Sequence, residues 1–459
     1  MYKKLFYVGI VPYLVLLVLS CLFYKERIIF ADAANYMVYV TKTGSFSIEH
    51  YRYGVALLQI LPLLGIKASA SLDHVILLFS TSYALYYLGC YLLCGFAFKN
   101  YKMALVLLLF NTLFCTYTFY YMISELPIAI AMFLVVLSYI NTKMKLLWWQ
   151  ALIAFTMLIT VVFLHPVAQL AIVFCLLFFL LSKEKESINK KYIVMIGIAL
   201  IIIIIIKRLF FTGYYEARSS EILSIFPVFF PKYFSLYSHQ AFLQNCITNY
   251  YWIPVISALI IIGYILTKKW LKLALFLLFT IGYLVLVNTC FPTNYTRDFY
   301  MENLYLPIGL FIALPFVFDI LPILLQAKKN TAIAMIALIC ATCCIRIYVN
   351  HKPYTNRLAW ERKFLDKHPD EKLIVPETPA MVDTLFMTWA TPYEFWMLST
   401  IERGKTASII INDQPVNFLG LQKENKEFGG AWAHFSYSAL PKKYFIFPDS
   451  TNTYRLMND

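Results

Sequence analysis

Long apolar runs separated by short polar stretches are the main pattern along this chain. Runs long enough to cross about 30 Å of hydrocarbon lie at residues 5–24, 74–97, 101–119, 127–141, 147–164, 167–182, 192–207, 251–267, 270–290, 303–325 and 331–348. The pattern predicts eleven membrane-spanning helices. A shorter run, 53–66, contains Gln59 and Pro62, and its length is typical of a helix at the membrane interface.

The chain becomes more polar after residue 348. Three runs in this segment, 372–377, 406–413 and 442–449, predict strands. The expected fold class is therefore an all-α membrane protein that carries a small C-terminal α/β or α+β domain. The predicted domains are a transmembrane module, 1–348, with large outer loops at 25–73 and 208–250, and a soluble extracytoplasmic domain, 349–459.

Composition and charge narrow the function class. Hydrophobic residues make up 61% of the chain and charged residues only 14%, which excludes an ordinary soluble domain. A net charge of +14 is also typical of nucleic-acid-binding proteins. Here the lysines cluster between apolar runs, where the positive-inside rule explains them. We therefore expect a lipid bilayer and no nucleic acid as partner.

The lysines also predict which side each loop faces. With eleven spans, the loops that contain Lys3, Lys99, Lys143, Lys183, Lys268 and Lys328 all fall on one side, which is then the cytoplasm. The turns 120–127 and 163–167 on the opposite side carry no Lys or Arg. We expect a bacterial plasma-membrane protein with these turns, the large loops and the C-terminal domain outside the cytoplasm.

A candidate polar surface follows the first span. Asp32, Asn35, Tyr36 and Tyr39 have the i, i+3, i+4, i+7 spacing that places side chains on one face of a helix. A carboxylate beside an amide and two phenols is suited to line a polar pocket. An ordinary solvated carboxylate in a loop is the alternative interpretation.

Further charged and polar side chains recur where the chain leaves the predicted bilayer. Glu125 and His165 lie in the two short lysine-free turns, and a carboxylate this close to lipid is costly unless it is paired or faces a cavity. The other boundary residues are Arg52, Lys207, Arg208, Arg297, Tyr300 and Glu302. Each of them taken singly is better explained as an interfacial anchor. Together they predict a polar cavity under the outer surface.

This set of residue types favours group transfer from a lipid-linked phosphate. The incoming hydroxyl needs a carboxylate to accept its proton, and the leaving phosphate needs a cation. A divalent cation held by Asp32 and Glu125 is left open, since two carboxylates are too few to predict one. No other cofactor is expected.

The order of these parts resembles the GT-C superfamily of membrane glycosyltransferases, which use polyprenyl-phosphate-linked sugars. Asp32 matches the acid that opens the first outer loop, 53–66 the interfacial helix, Glu125 the acidic turn, and 208–250 the loop after the seventh span. The resemblance implies transfer of a sugar to an envelope glycan, lipid or protein. It further implies the following roles: Asp32 and Glu125 in catalysis, His165, Arg208 and Arg297 at the donor phosphate, and Asn35, Tyr36, Arg52, Tyr300 and Glu302 lining the substrates.

Other functions remain compatible with the sequence. A membrane polysaccharide polymerase or ligase would use a lipid-diphosphate oligosaccharide and needs similar residues. A secondary transporter would line its path with them, but transporters commonly show inverted repeats and broken spans, and the sequence shows no internal repeat. A scaffold that binds envelope partners through its tail would leave the charged turns unexplained.

Overall fold

A computed structural model describes residues 1–122, 125–141, 147–182, 189–211, 213, 221–292, 298–369, 372–422, 427–429, 434–436, 439–447 and 453–457. Helices dominate this part of the chain. In its first half they are α1 (Tyr2–Leu22), α2 (Tyr24–Ile28), α3 (Ala31–Thr43), α4 (Ala56–Lys67), α5 (Leu72–Leu92), α6 (Tyr101–Leu113), α7 (Glu125–Asn141), α8 (Trp148–Leu164), α9 (Ala168–Leu180) and α10 (Lys190–Phe210).

The second half continues the helical bundle and adds the strands. Its helices are α11 (Phe226–Phe229), α12 (Tyr237–Thr248), α13 (Trp252–Leu266), α14 (Trp270–Cys290), α15 (Asp298–Pro315), α16 (Leu321–Ala327), α17 (Lys329–Val349), α18 (Lys352–Lys367), α19 (Pro379–Leu385) and α20 (Thr391–Arg403). The strands are β1 (Lys372–Pro376), β2 (Ser408–Asn412), β3 (Glu427–Gly429), β4 (His434–Ser436) and β5 (Arg455–Leu456).

Among the described residues, six helices are long and apolar enough to cross a membrane: Tyr2–Leu22, Leu72–Ala97, Lys190–Phe210, Trp270–Cys290, Phe299–Ala327 and Lys329–Lys367. Helices α12 and α13, bent by 89°, would form a seventh span as a pair. Helices α6 to α9 have 13 to 17 residues, and 17 residues rise only about 25 Å. These long apolar helices are compatible with an integral membrane protein. The number of eleven spans stays a prediction.

The C-terminal segment contains a small parallel sheet with the strand order β2-β1-β5. The predicted strands at 372–377 and 406–413 are confirmed by β1 and β2, which pair over five positions. The predicted strand at 442–449 is wrong over its described part. The N–H groups of Tyr444 and Phe445 both donate to the carbonyl of Pro441, which forms a turn, and Arg455–Leu456 pairs with β1 instead.

The C-terminal segment also packs against the beginning of the chain. Helix α18 follows α17 after only two residues, so the helical path continues past residue 348. Helix α20 then contacts α3, the helix that carries Asp32. Residues that are more than 300 positions apart in sequence therefore build the surroundings of one carboxylate.

Candidate active site

Helix α3 presents the predicted polar face at one end of the bundle, as expected from its spacing. The side chain of Asp32 is half-buried, and its Oδ2 accepts a hydrogen bond of 2.5 Å from the hydroxyl of Tyr121. One turn later, Asn35 Nδ2 donates to Glu49 Oε1 at 3.3 Å. Tyr36 is buried beside them. The helix thus joins Asp32 to the loop that follows it.

A tight turn in that loop sets two charges side by side. The backbone N–H of Arg52 donates to the carbonyl of Glu49 at 2.9 Å. The two residues between them, His50 and Tyr51, have φ angles of 50° and 61°, in the left-handed region that short turns use. Glu49 and Arg52 therefore leave the turn next to each other.

Two residues of the run 53–66 hold this turn in place. Gln59 is fully buried, and its amide both accepts from the N–H of Ser47 at 2.7 Å and donates to the carbonyl of Ser47 at 2.8 Å. Gly54 lies against the end of α8, where a Cβ would stand 2.8 Å from the Cγ of Leu164. The absence of a side chain at position 54 brings the loop close to His165.

We expect Gly54→Ala to separate the loop from α8, since the added methyl group has no room. The cost should be about 1–3 kcal/mol, the usual range for overpacking, and thermal unfolding in detergent would measure it as a lower midpoint. Leu164→Ala removes the clashing side chain. In that background, Gly54→Ala should therefore lower the midpoint by less than it does in the wild type. Additive effects of the two substitutions would contradict the close contact.

Arg52 pairs with the acidic residue at the start of α7. Its Nη1 lies 2.9 Å from Glu125 Oε1, and both residues are more than nine-tenths buried. Glu125 is the first residue of α7, where the positive end of the helix dipole favours a carboxylate. The pair joins two segments that the sequence separates by more than seventy residues.

We call Asp32, Asn35, Glu49, Arg52, Glu125 and His165 the Asp32 cluster. Within it, the pKa of Asp32 is raised to about 6, mainly by burial and also by the charges of Glu125 and Glu49. The Tyr121 hydrogen bond and the charge of Arg52 act in the opposite direction. Asp32 is thus mostly ionised at neutral pH and has a pKa near the value that suits a general base.

His165 lies in the turn between α8 and α9 and completes the cluster as a neutral side chain. Its pKa is lowered to about 3, mainly by burial and also by the charges of Arg52 and Lys207. Its Nδ1 accepts from the N–H of Val167 at 3.2 Å, so the proton is on Nε2. As an uncharged donor, His165 can hold an oxygen but cannot neutralise a phosphate.

Lys207, not its neighbour Arg208, is the buried cation at the end of α10. Lys207 is 4% exposed, its Nζ donates to the carbonyl of Val162 at 3.1 Å, and it lies 5.2 Å from the ring centre of Phe163. Arg208 is exposed. Of the cations predicted for the phosphate, Arg297 lies outside the described residues.

The two predicted residues of α15 differ in their surroundings. Tyr300 is half-buried and close enough to Tyr121 to affect it electrostatically, so it borders the Asp32 cluster. Glu302 is fully buried, and its Oε1 accepts from the N–H groups of Thr116 and Thr118 at 2.7 and 2.8 Å. Its Oε2 accepts from the hydroxyl of Tyr250 at 2.9 Å. Glu302 therefore holds the chain after α6 and is occupied by protein partners.

The C-terminal segment fixes the backbone that leads to Asp32, which no sequence pattern indicated. Arg357 of α18 is fully buried and donates to the carbonyl of Ile29 at 2.6 Å and to Glu361 at 2.7 Å. It also pairs with Glu394 of α20. Glu394 Oε1 in turn accepts the N–H of Ala31 at 2.6 Å, the first residue of α3.

Ala31 itself has a strained conformation, with φ at +44°. A non-glycine residue in this region costs about 1–3 kcal/mol and persists only where its surroundings impose it. The carboxylate of Glu394 also accepts one of the N–H groups that the start of a helix leaves without a partner. We call Arg357, Glu361 and Glu394 the buried triad, and we infer that it positions Asp32 through Ala31.

The acids of the cluster do not fit a metal ion. Among the described residues, no group of three or more His, Cys, Asp and Glu side chains has the arrangement to hold one. The carboxylate of Glu125 already forms an ion pair with Arg52.

Comparisons of the chain with protein-family models, with curated proteins and with solved structures gave no match. The Asp32 cluster is therefore interpreted from its own geometry and charges.

Proposed function

We propose that the protein is a glycosyltransferase that moves a sugar from a polyprenyl-phosphate-linked donor to an acceptor of the cell envelope. The observation that carries the proposal is the convergence of Asp32, which has a raised pKa, with Arg52 and the neutral donor His165 at one end of an apolar helix bundle. A base, a cation and a neutral hydrogen-bond donor beside a bilayer suit a lipid-phosphate leaving group.

The reaction assigned to this cluster is a single displacement at the anomeric carbon. The bond from this carbon to the phosphate oxygen breaks, and the electron pair leaves with the lipid phosphate. The acceptor oxygen forms the new bond, and its proton moves to the carboxylate of Asp32. Tyr121 donates a hydrogen bond to Oδ2 of Asp32 and so orients the carboxylate. Arg52 and Lys207 supply positive charge for the departing phosphate.

The side of the membrane follows from the lysine pattern and belongs to this proposal. The cluster and the C-terminal segment then lie outside the cytoplasm of a bacterial plasma membrane. The donor reaches the cluster from the bilayer, and the acceptor, a glycan, lipid or protein, comes from the envelope. The packing of α20 against α3 is consistent with a C-terminal segment on the same side as Asp32.

Purified full-length protein in lipid nanodiscs tests the proposal directly. It should release polyprenyl phosphate and label an envelope extract when given radiolabelled polyprenyl-phosphate sugars. Lipid-diphosphate oligosaccharides, offered in parallel, should give no product. Product from the diphosphate donor alone would replace this proposal by a polymerase or ligase, and no product from either donor, with an active reference transferase in the same extract, would reject it.

The charges around Asp32 predict opposite shifts of the pH profile. Glu125→Gln removes a negative charge and should lower the midpoint of the transfer rate by about half a unit to one unit, whereas Arg52→Gln should raise it by a similar amount. Lys42→Gln is the control, because position 42 lies about 15 Å along α3. Equal midpoints in all three variants would show that these charges do not act on the base.

A further inference from the structure

A cavity lies beside the Asp32 cluster, between helices α1, α2, α5 and α15 and the segment that follows α6. Its volume is about 70 Å³. This volume exceeds the roughly 10–15 Å³ that one water molecule requires, so the cavity has room for a small polar group. Its wall includes Arg27, Tyr83, Asn303, Tyr121, Leu16 and Leu306. We call this space the Arg27 cavity.

Arg27 is a buried cation without a counter-ion in the described part of the chain. It is 3% exposed, its Nε donates to the carbonyl of Phe119 at 2.9 Å, and its guanidinium lies 4.1 Å from the ring centre of Phe119. Its Nη1 has no hydrogen-bond partner there. An uncompensated charge at such depth is unfavourable, so the site favours an anion.

Two more buried polar atoms in the same wall have no partner among the described residues: the hydroxyl of Tyr83 and Oδ1 of Asn303. The hydroxyl can donate to an anion, and the Asn303 amide can do so after a flip, because the two ends of an amide are assigned from hydrogen bonding. Most of the remaining wall is apolar, with Leu16, Ala84 and Leu306. One cation within a mainly apolar wall is suited to an amphiphile.

The position of the cavity relates it to the cluster. Tyr121 lines the cavity and donates to Asp32, so one side chain borders both. Pro127, two residues after Glu125, lies in the same wall. A group bound to Arg27 would therefore sit next to the carboxylate assigned as the base.

We propose that the Arg27 cavity binds the phosphate group of a lipid phosphate, with Arg27 as the cation and Tyr83 and Asn303 as hydrogen-bond partners. For the identity of the lipid this rests on the proposed function, but phosphate binding at Arg27 is measured without any sugar transfer. Arg27 is a cation in addition to those of the cluster. The sequence patterns pointed to Arg208 and Arg297 and not to Arg27.

Geranyl phosphate, geraniol and inorganic phosphate are the probes for full-length protein in a neutral detergent. Geranyl phosphate should bind to the wild type at least about tenfold more tightly than to Arg27→Gln, the loss expected for one charged hydrogen bond. Arg27→Lys should recover part of the affinity. Geraniol, which has the same chain without the charge, should bind all three proteins equally and weakly.

Tyr83→Phe is a second test that does not depend on the folding of Arg27→Gln, and Arg362→Gln is the control. Tyr83→Phe removes one hydroxyl, leaves the packing nearly intact, and should weaken geranyl phosphate about three- to tenfold. Arg362→Gln makes the same charge change at an exposed site and should have no effect. Equal affinity of geranyl phosphate for wild type, Arg27→Lys, Arg27→Gln and Tyr83→Phe would overturn the proposal.

Two more comparisons distinguish a lipid phosphate from inorganic phosphate, and binding at Arg27 from the proposed sugar transfer. Inorganic phosphate that binds as tightly as geranyl phosphate, and equally depends on Arg27, would overturn the assignment to a lipid. Asp32→Asn should bind geranyl phosphate as the wild type does, although its rate of sugar transfer is expected to be at least about 100-fold lower. Arg27-dependent binding in a protein without any transferase activity would leave this site standing while the proposed function fails.

Discussion

Asp32→Asn is expected to lower the rate of sugar transfer at least about 100-fold, the lower end of what a positioned general base contributes. The amide keeps the size of the side chain and can still contact Tyr121, but it cannot accept a proton from the acceptor. Initial rates with a radiolabelled donor measure the effect. Asp366→Asn, an exposed carboxylate in the C-terminal segment, is the control and should transfer at the wild-type rate.

The pH profile separates loss of a base from loss of structure. Burial raises the pKa of Asp32 to about 6, and only the ionised form can accept a proton, so the wild-type rate should rise with pH and level off above this value. Tyr121→Phe removes a hydrogen bond that favours the charged form and should move the midpoint upward. A rate that does not change between pH 5 and 7, roughly one unit on either side of the pKa, would rule Asp32 out as the base.

Arg357→Met is expected to be the most destabilising single change outside the bundle core. It would leave Glu361 and Glu394 buried without their cation, and breaking a buried ion pair in this way costs about 3–5 kcal/mol. Thermal unfolding in detergent should show a large drop of the midpoint. The exposed pair Arg362–Glu402 on the same helix supplies the control, since Arg362→Met should cost no more than about 1 kcal/mol.

A milder variant tests whether the buried triad positions Asp32 or only stabilises the fold. Glu394→Gln keeps an oxygen that can accept the N–H of Ala31 but weakens the hold on its strained backbone. We expect kcat to fall several-fold with an unchanged KM, because binding groups elsewhere are untouched. A variant with lower stability but wild-type kcat would show that the triad acts on stability alone.

Local patterns predicted several parts of this site from the sequence. The i, i+3, i+4, i+7 spacing identified the helix that carries Asp32, and the cost of a carboxylate near lipid singled out Glu125. Arg52 and His165 were found in the same way, by their place at the ends of apolar runs. Arg208 and Glu302 were predicted for the same reason. In the structure Arg208 is exposed, and the carboxylate of Glu302 accepts hydrogen bonds from protein groups.

Other residues carried no signal in one sequence. Glu49 looks like an ordinary loop acid until a turn with two left-handed residues places it beside Arg52. Arg27 follows the first span as any anchoring cation does, and only its burial and its unpartnered Nη1 distinguish it. Gly54 became informative when its missing side chain was seen against Leu164.

The sequence by itself determined that the chain is built from apolar helices with polar groups at their ends, because long unbroken apolar runs form such helices and a charge inside one of them is costly. Tertiary structure alone decided which of these groups meet. Contacts such as Arg52 with Glu125, or Glu394 with Ala31, join positions far apart in the chain. No local period encodes them, since they depend on how whole helices pack and on which charges burial leaves without water.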